Sequence, residues 1–206
     1  GDIYVVNNVT NTTIEFAEGA NFSGRIVVRK AGEGVSGTSI TASGQTFSDQ
    51  QTGAIQFYDG TNSSISLTNV NFTGNTSFYG GAVYSYAENF VQNGGAYHGN
   101  KAVDNESGPN AEGKVEDGAF GGALMLKGNY NVILTDVDFA KNSASAANGM
   151  AYGGAICADF STGNNGEEAG STDLTLNITQ NMTYAGNTVS SGSTGKVFDT
   201  YGYHVP

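Results

Sequence analysis

Residues 72–83 read Phe-Thr-Gly-Asn-Thr-Ser-Phe-Tyr-Gly-Gly-Ala-Val and contain both motifs that decide the fold. One motif is a tetrad, an aromatic residue followed three positions later by Asn. It occurs as Phe47-Ser-Asp-Gln50 (with Gln for Asn), Phe72-Thr-Gly-Asn75, Tyr97-His-Gly-Asn100, Phe139-Ala-Lys-Asn142 and Tyr184-Ala-Gly-Asn187. The other is a Gly-Ala-aliphatic run, seen as Gly53-Ala-Ile55, Gly80-Gly-Ala-Val83, Gly121-Gly-Ala-Leu124, Gly153-Gly-Ala-Ile156 and, weakly, Gly195-Lys-Val-Phe198. Successive tetrad aromatics are 25, 25, 42 and 45 residues apart, which predicts a repeat of about 25 residues with two insertions.

The composition predicts an all-β protein. The chain has 31 Gly and 2 Pro, and its β-branched segments, such as 64–72 and 130–139, are bounded by Gly, Asn and Ser clusters. That pattern is typical of short strands between turns.

A repeat of this size cannot bury its apolar face alone, so neighbouring repeats are expected to stack. We therefore predict a parallel β-helix in which equivalent residues form columns, with an aromatic stack inside and an Asn ladder at a corner. One domain is expected over residues 1–206, with N-terminal turns in 1–46, motif-bearing turns in 47–187 and a C-terminal turn and tail in 188–206. The residues assigned to these structural columns are Phe72, Asn75, Gly80, Gly81, Tyr97, Asn100, Gly121, Gly122, Phe139, Asn142, Gly153, Gly154, Tyr184 and Asn187.

The alternation of Phe-x-x-Asn with Gly-Gly-Ala-aliphatic resembles the repeat of the polymorphic outer membrane protein family of bacterial autotransporters. The best matches are Phe72-Thr-Gly-Asn75 with Gly80-Gly-Ala-Val83, and Phe139-Ala-Lys-Asn142 with Gly153-Gly-Ala-Ile156. The resemblance covers about residues 47–187. It implies a right-handed parallel β-helix, displayed at the cell surface or secreted as a passenger segment, because neither a signal peptide nor a set of barrel strands is recognisable.

The charge balance excludes some classes of binding partner. The net charge is −11, with 19 acidic against 8 basic residues, so a footprint for nucleic acid is absent and anionic membranes are disfavoured. No apolar run is long enough for membrane insertion of this segment. The lone Cys157 is expected near the core as a small apolar residue.

Catalysis is not expected, and no cofactor or metal is predicted. Polysaccharide lyases and glycosidases share the β-helix, and the best candidates for a pair of catalytic carboxylates are Asp136 and Asp138, predicted to face outward about 6.6 Å apart on one strand. The equivalent positions one motif earlier are Asn69 and Asn71, which favours polar outside positions of the repeat. Oxygen ligands for calcium could come from Asp159, Glu167, Glu168 and Asp173, although their spacing matches no known loop.

The two insertions, at 103–118 and 160–172, are the places where surface loops could carry binding. They are either contact surfaces or simple extensions of the turns. The sequence thus predicts an adhesin or stalk segment that binds a host-surface protein or glycan through the side of the coil. The alternatives are a filament subunit that stacks end to end on copies of itself, and a carbohydrate-active enzyme.

Overall fold

The computed structural model describes residues 1–29, 34–105, 118–127, 131–147, 150–159, 175–178, 181–191 and 197–198. Within these ranges all regular structure is β-strand, and no helix is present that could cross a membrane. The first half of the chain contributes β1 (Ile3–Val5), β2 (Thr13–Phe16), β3 (Ile26–Val28), β4 (Ser39–Ser43), β5 (Thr46–Ser48), β6 (Ile55–Phe57), β7 (Ser64–Thr73), β8 (Thr76–Ser77), β9 (Val83–Ser85), β10 (Asn89–His98) and β11 (Lys101–Asp104). The second half contributes β12 (Gly118–Phe120), β13 (Leu124–Lys127), β14 (Asn131–Thr135), β15 (Asp138–Ala140), β16 (Ser143–Ala146), β17 (Met150–Tyr152), β18 (Ile156–Asp159), β19 (Thr175–Ile178), β20 (Thr183–Ala185), β21 (Thr188–Ser191) and β22 (Val197–Phe198).

These strands form four parallel sheets. Sheet 1 has the order β1-β3-β6-β9-β13-β18, and sheet 2 has the order β19-β14-β10-β7-β4-β2 with β5, β15 and β20 attached. Sheet 3 is β21-β16-β11-β8 and sheet 4 is β12-β17-β22. Paired residues in sheet 2 are 25 or 26 apart in sequence where no insertion intervenes, as in Phe72↔Tyr97, and 42 to 45 apart across an insertion, as in Tyr97↔Phe139 and Phe139↔Tyr184. The insertions therefore do not disrupt the alignment of the tetrad aromatics.

The main core lies between the inner faces of sheets 1 and 2. Strand β7 alternates buried and more exposed positions on either side of Thr68 and Asn69, which are both exposed, as expected for a bent strand with one face in the core. Sheet 1 contributes a column of aliphatic residues, Ile26, Ile55, Val83, Leu124 and Ile156, each fully buried. A second, smaller core of alanines (Ala102, Ala119, Ala144, Ala146 and Ala151) joins strands of sheets 3 and 4.

The two positions of each Gly-Gly-Ala corner require glycine for different physical reasons. The first, as in Gly80 and Gly121, has φ of 57° and 64°, a backbone conformation that costs other residues energy. The second has no such φ; a Cβ on Gly81 would lie 2.2 Å from the carbonyl oxygen of Gly122 and 2.5 Å from the amide nitrogen of Lys101. At the second position glycine is therefore required by close backbone contact and not by a special dihedral angle.

The first insertion is shorter than the sequence suggested. Residues 103–104 belong to β11, and Gly118 begins β12, which pairs with β17. Residues 106–117 of this insertion, and the whole of 160–172, lie outside the described residues.

Candidate functional site

The tetrad aromatics form one column inside the core. Ring centroids are 5.3 Å apart for Phe47–Phe72, 4.7 Å for Phe72–Tyr97, 4.7 Å for Tyr97–Phe139 and 5.5 Å for Phe139–Tyr184, and every one of these pairs is stacked. The first four rings are buried. The expected aromatic stack is therefore present.

The tetrad Asn residues form a hydrogen-bonded ladder beside this column. The Oδ1 of Asn100 accepts from both the backbone N–H and the side-chain amide of Asn75, each at 3.0 Å. The Nδ2 of Asn100 donates to the Oδ1 of Asn142 and to the backbone carbonyl of Phe72, again at 3.0 Å. Asn142 repeats the pattern toward Asn187. Because Asn75, Asn100 and Asn142 are fully buried, these bonds satisfy groups that water cannot reach.

The structure reveals an earlier aromatic contact that sequence reasoning missed: the ring of Phe22 lies 6.1 Å from that of Phe47. Arg25, three residues after Phe22, directly precedes β3 and is opposite Ala54 of the next turn, so it does not occupy the ladder position. Arg25 instead donates to Asp2 through Nε at 2.8 Å and to the hydroxyl of Tyr4 at 2.6 Å. The side-chain hydrogen bond from Arg25 lowers the pKa of the Asp2 carboxyl. Arg25 thus fastens β1 to the next strand of sheet 1.

The backbone conformation at position 136 explains why the residue there is Asp. It precedes β15 and has φ of 53°, like Asn69 with φ of 50° and Asn181 with φ of 65° at the same corner of other turns. Asn, Asp and Gly tolerate this conformation best, which explains the residue type without chemistry. Asp136 and Asp138 therefore do not share one extended strand, and the 6.6 Å spacing expected from sequence does not apply.

Asp138 lies in a cross-turn cluster on the outer face of sheet 2. One carboxylate oxygen is 2.5 Å from the Nε2 of His98, and the other accepts a hydrogen bond from the hydroxyl of Thr183. Partial burial raises the pKa of Asp138, but the hydrogen bonds from Thr183 and His98 outweigh it, so the pKa lies below its ordinary value. The side chains of His98 and Asp138 are both more than two-fifths exposed, so their contact is a weak surface interaction. The carboxylate stands between the imidazole and the hydroxyl, so the imidazole is not positioned to activate that hydroxyl.

A second group of aromatics lies outside the core, on the outer face of sheet 1 and the adjoining sheet 4. We call it the outer aromatic face, and its members are Tyr58, Tyr79, Tyr84, Tyr86, Phe120 and Tyr152. Tyr84 contacts Tyr58, Tyr86 and Tyr79 at centroid distances of 5.2, 5.4 and 5.9 Å. Tyr79, Phe120 and Tyr152 form a stacked column with spacings of 5.4 and 5.1 Å.

The outer aromatic face surrounds a buried strip of sheet 1. Tyr84, Met125 and Cys157 are aligned on adjacent strands, point outward, and are at most 7% exposed. Burial raises the pKa of the Tyr84 and Tyr58 hydroxyls, so both stay neutral at physiological pH. The hydroxyl of Tyr58 donates to the Oε1 of Gln56 at 3.2 Å, which fixes the position of that ring. The rings of this face are neutral, and the charge of Arg29 acts on Tyr58, in a protein with a net charge of −11.

A sequence signal for this face exists. Each of Tyr79, Phe120 and Tyr152 directly precedes a Gly-Gly-Ala corner, so an aromatic column at that position could have been predicted. The contacts of Tyr58 and Tyr86 could not have been predicted, because these residues follow strands of sheet 1 and belong to no repeat motif.

No metal centre is visible among the residues that the structure describes: no group of three or more His, Cys, Asp and Glu side chains lies together there. The calcium candidates Glu167, Glu168 and Asp173 lie outside the described residues.

Comparison with known proteins identifies no relative. No protein-family model matches the chain, and neither a curated protein nor a solved structure matches it significantly.

Proposed function

We propose that the chain is a right-handed parallel β-helix that serves as an adhesin or stalk segment of an autotransporter-type protein, at the cell surface or secreted. The observation that carries the proposal is the continuous register of the tetrad column and its Asn ladder, from Gln50 to Asn187, across both insertions. The chain visits sheet 1, sheet 2 and sheet 1 again in regular alternation, as a coil would. Crossovers between parallel strands of one sheet are almost always right-handed, which supports the handedness.

A stack of this kind supports a stalk for a physical reason. Each turn contacts only its neighbours, so turns can be added without building a new core. Each added turn also enlarges the surface along the side of the coil. The motif pair that forms the ladder and corners is also the pair that resembles the polymorphic outer membrane protein family, which supports a passenger role.

Binding through the side is the activity that we assign to the coil. Exposed aromatic side chains beside the outer aromatic face support this assignment, because exposed apolar surface is typical of interaction sites. Half of the Phe78 side chain and more than a third of Tyr79 are exposed at its border. The proposed partner is a host-surface protein or glycan.

The test is adhesion of beads coated with the chain to cultured host cells, with beads coated with an unrelated acidic protein as the control. We expect saturable binding that the free chain inhibits. Protease or glycosidase treatment of the cells then distinguishes a protein receptor from a glycan. The absence of saturable binding to cells, matrix proteins and glycans would contradict the proposal.

End-to-end assembly is the second candidate. It is supported by apolar residues that are only partly buried at the two ends of the core, Ile3, Val9 and Phe22 at one end and Met182 and Tyr184 at the other. Light scattering over a range of concentrations separates a monomer from a growing filament.

A further inference from the structure

A second outward-facing column of sheet 1 has a basic residue at each end. It is made by the residues that directly follow four aligned positions, Val28, Phe57, Ser85 and Leu126. These four are buried, so the residue after each of them faces outward. We call the column the basic-aromatic row, and its members are Arg29, Tyr58, Tyr86 and Lys127. The backbone N–H of Tyr58 donates to the carbonyl of Val28 at 2.8 Å, so the row keeps the register of the sheet.

The two tyrosines in the middle of the row are held in place by their neighbours. Their ring centroids are 6.4 Å apart, and the ring planes are tilted by 32°. Both rings pack on Tyr84, at centroid distances of 5.2 and 5.4 Å. The hydroxyl of Tyr58 also donates to the buried Gln56. Because each ring is only partly buried, a fixed aromatic surface is available to a partner, and little side-chain entropy is lost on binding.

The basic ends of the row have no acidic partner in the part of the chain that the structure describes. Arg29 is exposed and Lys127 is partly exposed. The ion pairs among the described residues involve Arg25 and His98 instead. Burial raises the pKa of Tyr58, and the charge of Arg29 opposes that shift, which places the guanidinium near the ring. The row therefore offers two unpaired cations with an aromatic surface between them.

We propose that the basic-aromatic row binds an acidic glycan. Carboxylates of two sugar units bind Arg29 and Lys127, and the sugars between them pack on Tyr58 and Tyr86. The two ends of the row are three strand spacings apart, about 14 Å, which is the span of a short oligosaccharide. A guanidinium can donate two parallel hydrogen bonds to one carboxylate. The row ends at Lys127, because the residue aligned with it on the next strand is Asp159.

The position of the row favours a sugar chain over a peptide. Its residues lie on or directly after β3, β6, β9 and β13, which are inner strands of sheet 1. The backbone groups of inner strands are paired on both sides, so a peptide has no sheet border to extend here. A pyranose ring instead presents a flat patch of C–H groups, which packs on the face of an aromatic ring.

The net charge limits the charge density of the ligand. A net charge of −11 repels a dense polyanion at long range, whereas the contacts within the row act at short range. The expected glycan therefore has carboxylates on separated sugars, with neutral sugars between them. This inference rests on the proposed function, in which the side of the coil binds a host-surface protein or glycan, and it specifies the place and the kind of glycan.

A hexasaccharide in which glucuronic acid alternates with N-acetylglucosamine is the probe. Isothermal titration calorimetry at low salt should show saturable binding with a Kd below about 1 mM. A hexasaccharide of N-acetylglucosamine alone has the same length and no carboxylate, and it should bind at least about tenfold more weakly. The absence of saturable binding of the acidic probe, equal binding of the neutral one, or tighter binding of a polyglutamate peptide would overturn the proposal.

Variants of the protein locate the site. Arg29→Gln and Lys127→Gln should each weaken binding of the acidic probe at least about tenfold, as should Tyr86→Leu, which keeps apolar bulk but removes the ring. Lys101→Gln is the matched control, because Lys101 is exposed on β11 of sheet 3 and its loss changes the net charge equally. Arg29→Gln keeps the test interpretable because that side chain is exposed, and melting curves verify folding. Unchanged binding by Arg29→Gln, or an equal loss in Lys101→Gln, would contradict the assignment.

The bead assay separates this inference from the proposed function. If beads carrying Arg29→Gln adhere as well as those carrying the unmodified chain, adhesion uses another surface and the inference is wrong. If no beads adhere but the acidic hexasaccharide binds at the row, the adhesin function is wrong and the glycan site stands.

Discussion

The buried hydroxyl of Tyr97 donates a 2.6 Å hydrogen bond to the Oε1 of Gln92, on the same strand. Neighbouring turns have Leu67 and Phe72, or Leu134 and Phe139, at the same two register positions. One turn thus replaces an apolar pair with a hydrogen-bonded pair, and the two polar residues depend on each other.

Replacing only one member of this pair should be costly. Tyr97→Phe leaves the buried Oε1 of Gln92 without its donor, and Gln92→Leu leaves the hydroxyl of Tyr97 without its acceptor. Each should lower the free energy of unfolding by about 1 to 3 kcal/mol. The double variant restores the residues of the neighbouring turns and should be more stable than either single variant. Denaturant unfolding of all four proteins measures the coupling, and additive effects would contradict it.

Replacing an Asn of the ladder by a charged residue should destabilise the protein strongly. Asn100→Asp keeps the shape but removes both donated hydrogen bonds and places a carboxylate beside the Oδ1 of Asn142. We expect a loss of more than about 3 kcal/mol in unfolding free energy. Asn93→Asp, at an exposed position of the preceding strand β10, is the control and should change stability by less than about 0.5 kcal/mol. Similar values for the two variants would mean that the ladder bonds contribute little.

The repeat columns were predictable from sequence because each depends on residues that recur at one position. Phe72, Tyr97 and Phe139 are of one chemical type, and their Asn partners are invariant from Asn75 onward. The contact of Phe22 with Phe47 was not predictable, because Phe22 is followed three residues later by Arg25, and a motif with neither Asn nor Gln is invisible to a pattern search. The contact of His98 with Asp138 depends on which residues face outward on strands 40 residues apart, and nothing in the local sequence encodes that.

Substitutions at Gly99 and Gly81 distinguish the energetic cost of backbone strain from that of steric overlap. Gly99 has φ of 65°, and a Cβ there would meet nothing within 4 Å, so Gly99→Ala should cost only the conformational strain of about 1 to 2 kcal/mol. At Gly81 a Cβ would collide with backbone atoms of Gly122 and Lys101, which cannot rotate away. Gly81→Ala should therefore cost at least about 3 kcal/mol. Thermal or denaturant melts that rank the two variants in the opposite order would contradict this account of the corner.

Low pH should remove the contribution that Asp138 makes to the free energy of unfolding. Its pKa is lowered in the folded protein, so its stabilising effect is present above the ordinary carboxyl pKa of about 4 and is lost as the pH falls through the lowered value. The difference in unfolding free energy between the unmodified chain and Asp138→Asn should therefore be small and favourable at pH 7 and should vanish in acid. Asp136→Asn controls for the loss of one negative charge. A difference that grows on acidification would show that the interaction is misassigned.

The central claim is that turns separated by insertions stack in one register, and a distance between spin labels tests it most directly. Thr13, Ser39, Ser64, Asn89 and Asn131 are aligned on successive strands of sheet 2. Labels on Cys at positions 13 and 131, with Cys157→Ala, should therefore be separated by four strand spacings, about 20 Å, with a narrow distribution in pulsed electron resonance. A mean distance of about twice that value, or a broad distribution, would contradict the account.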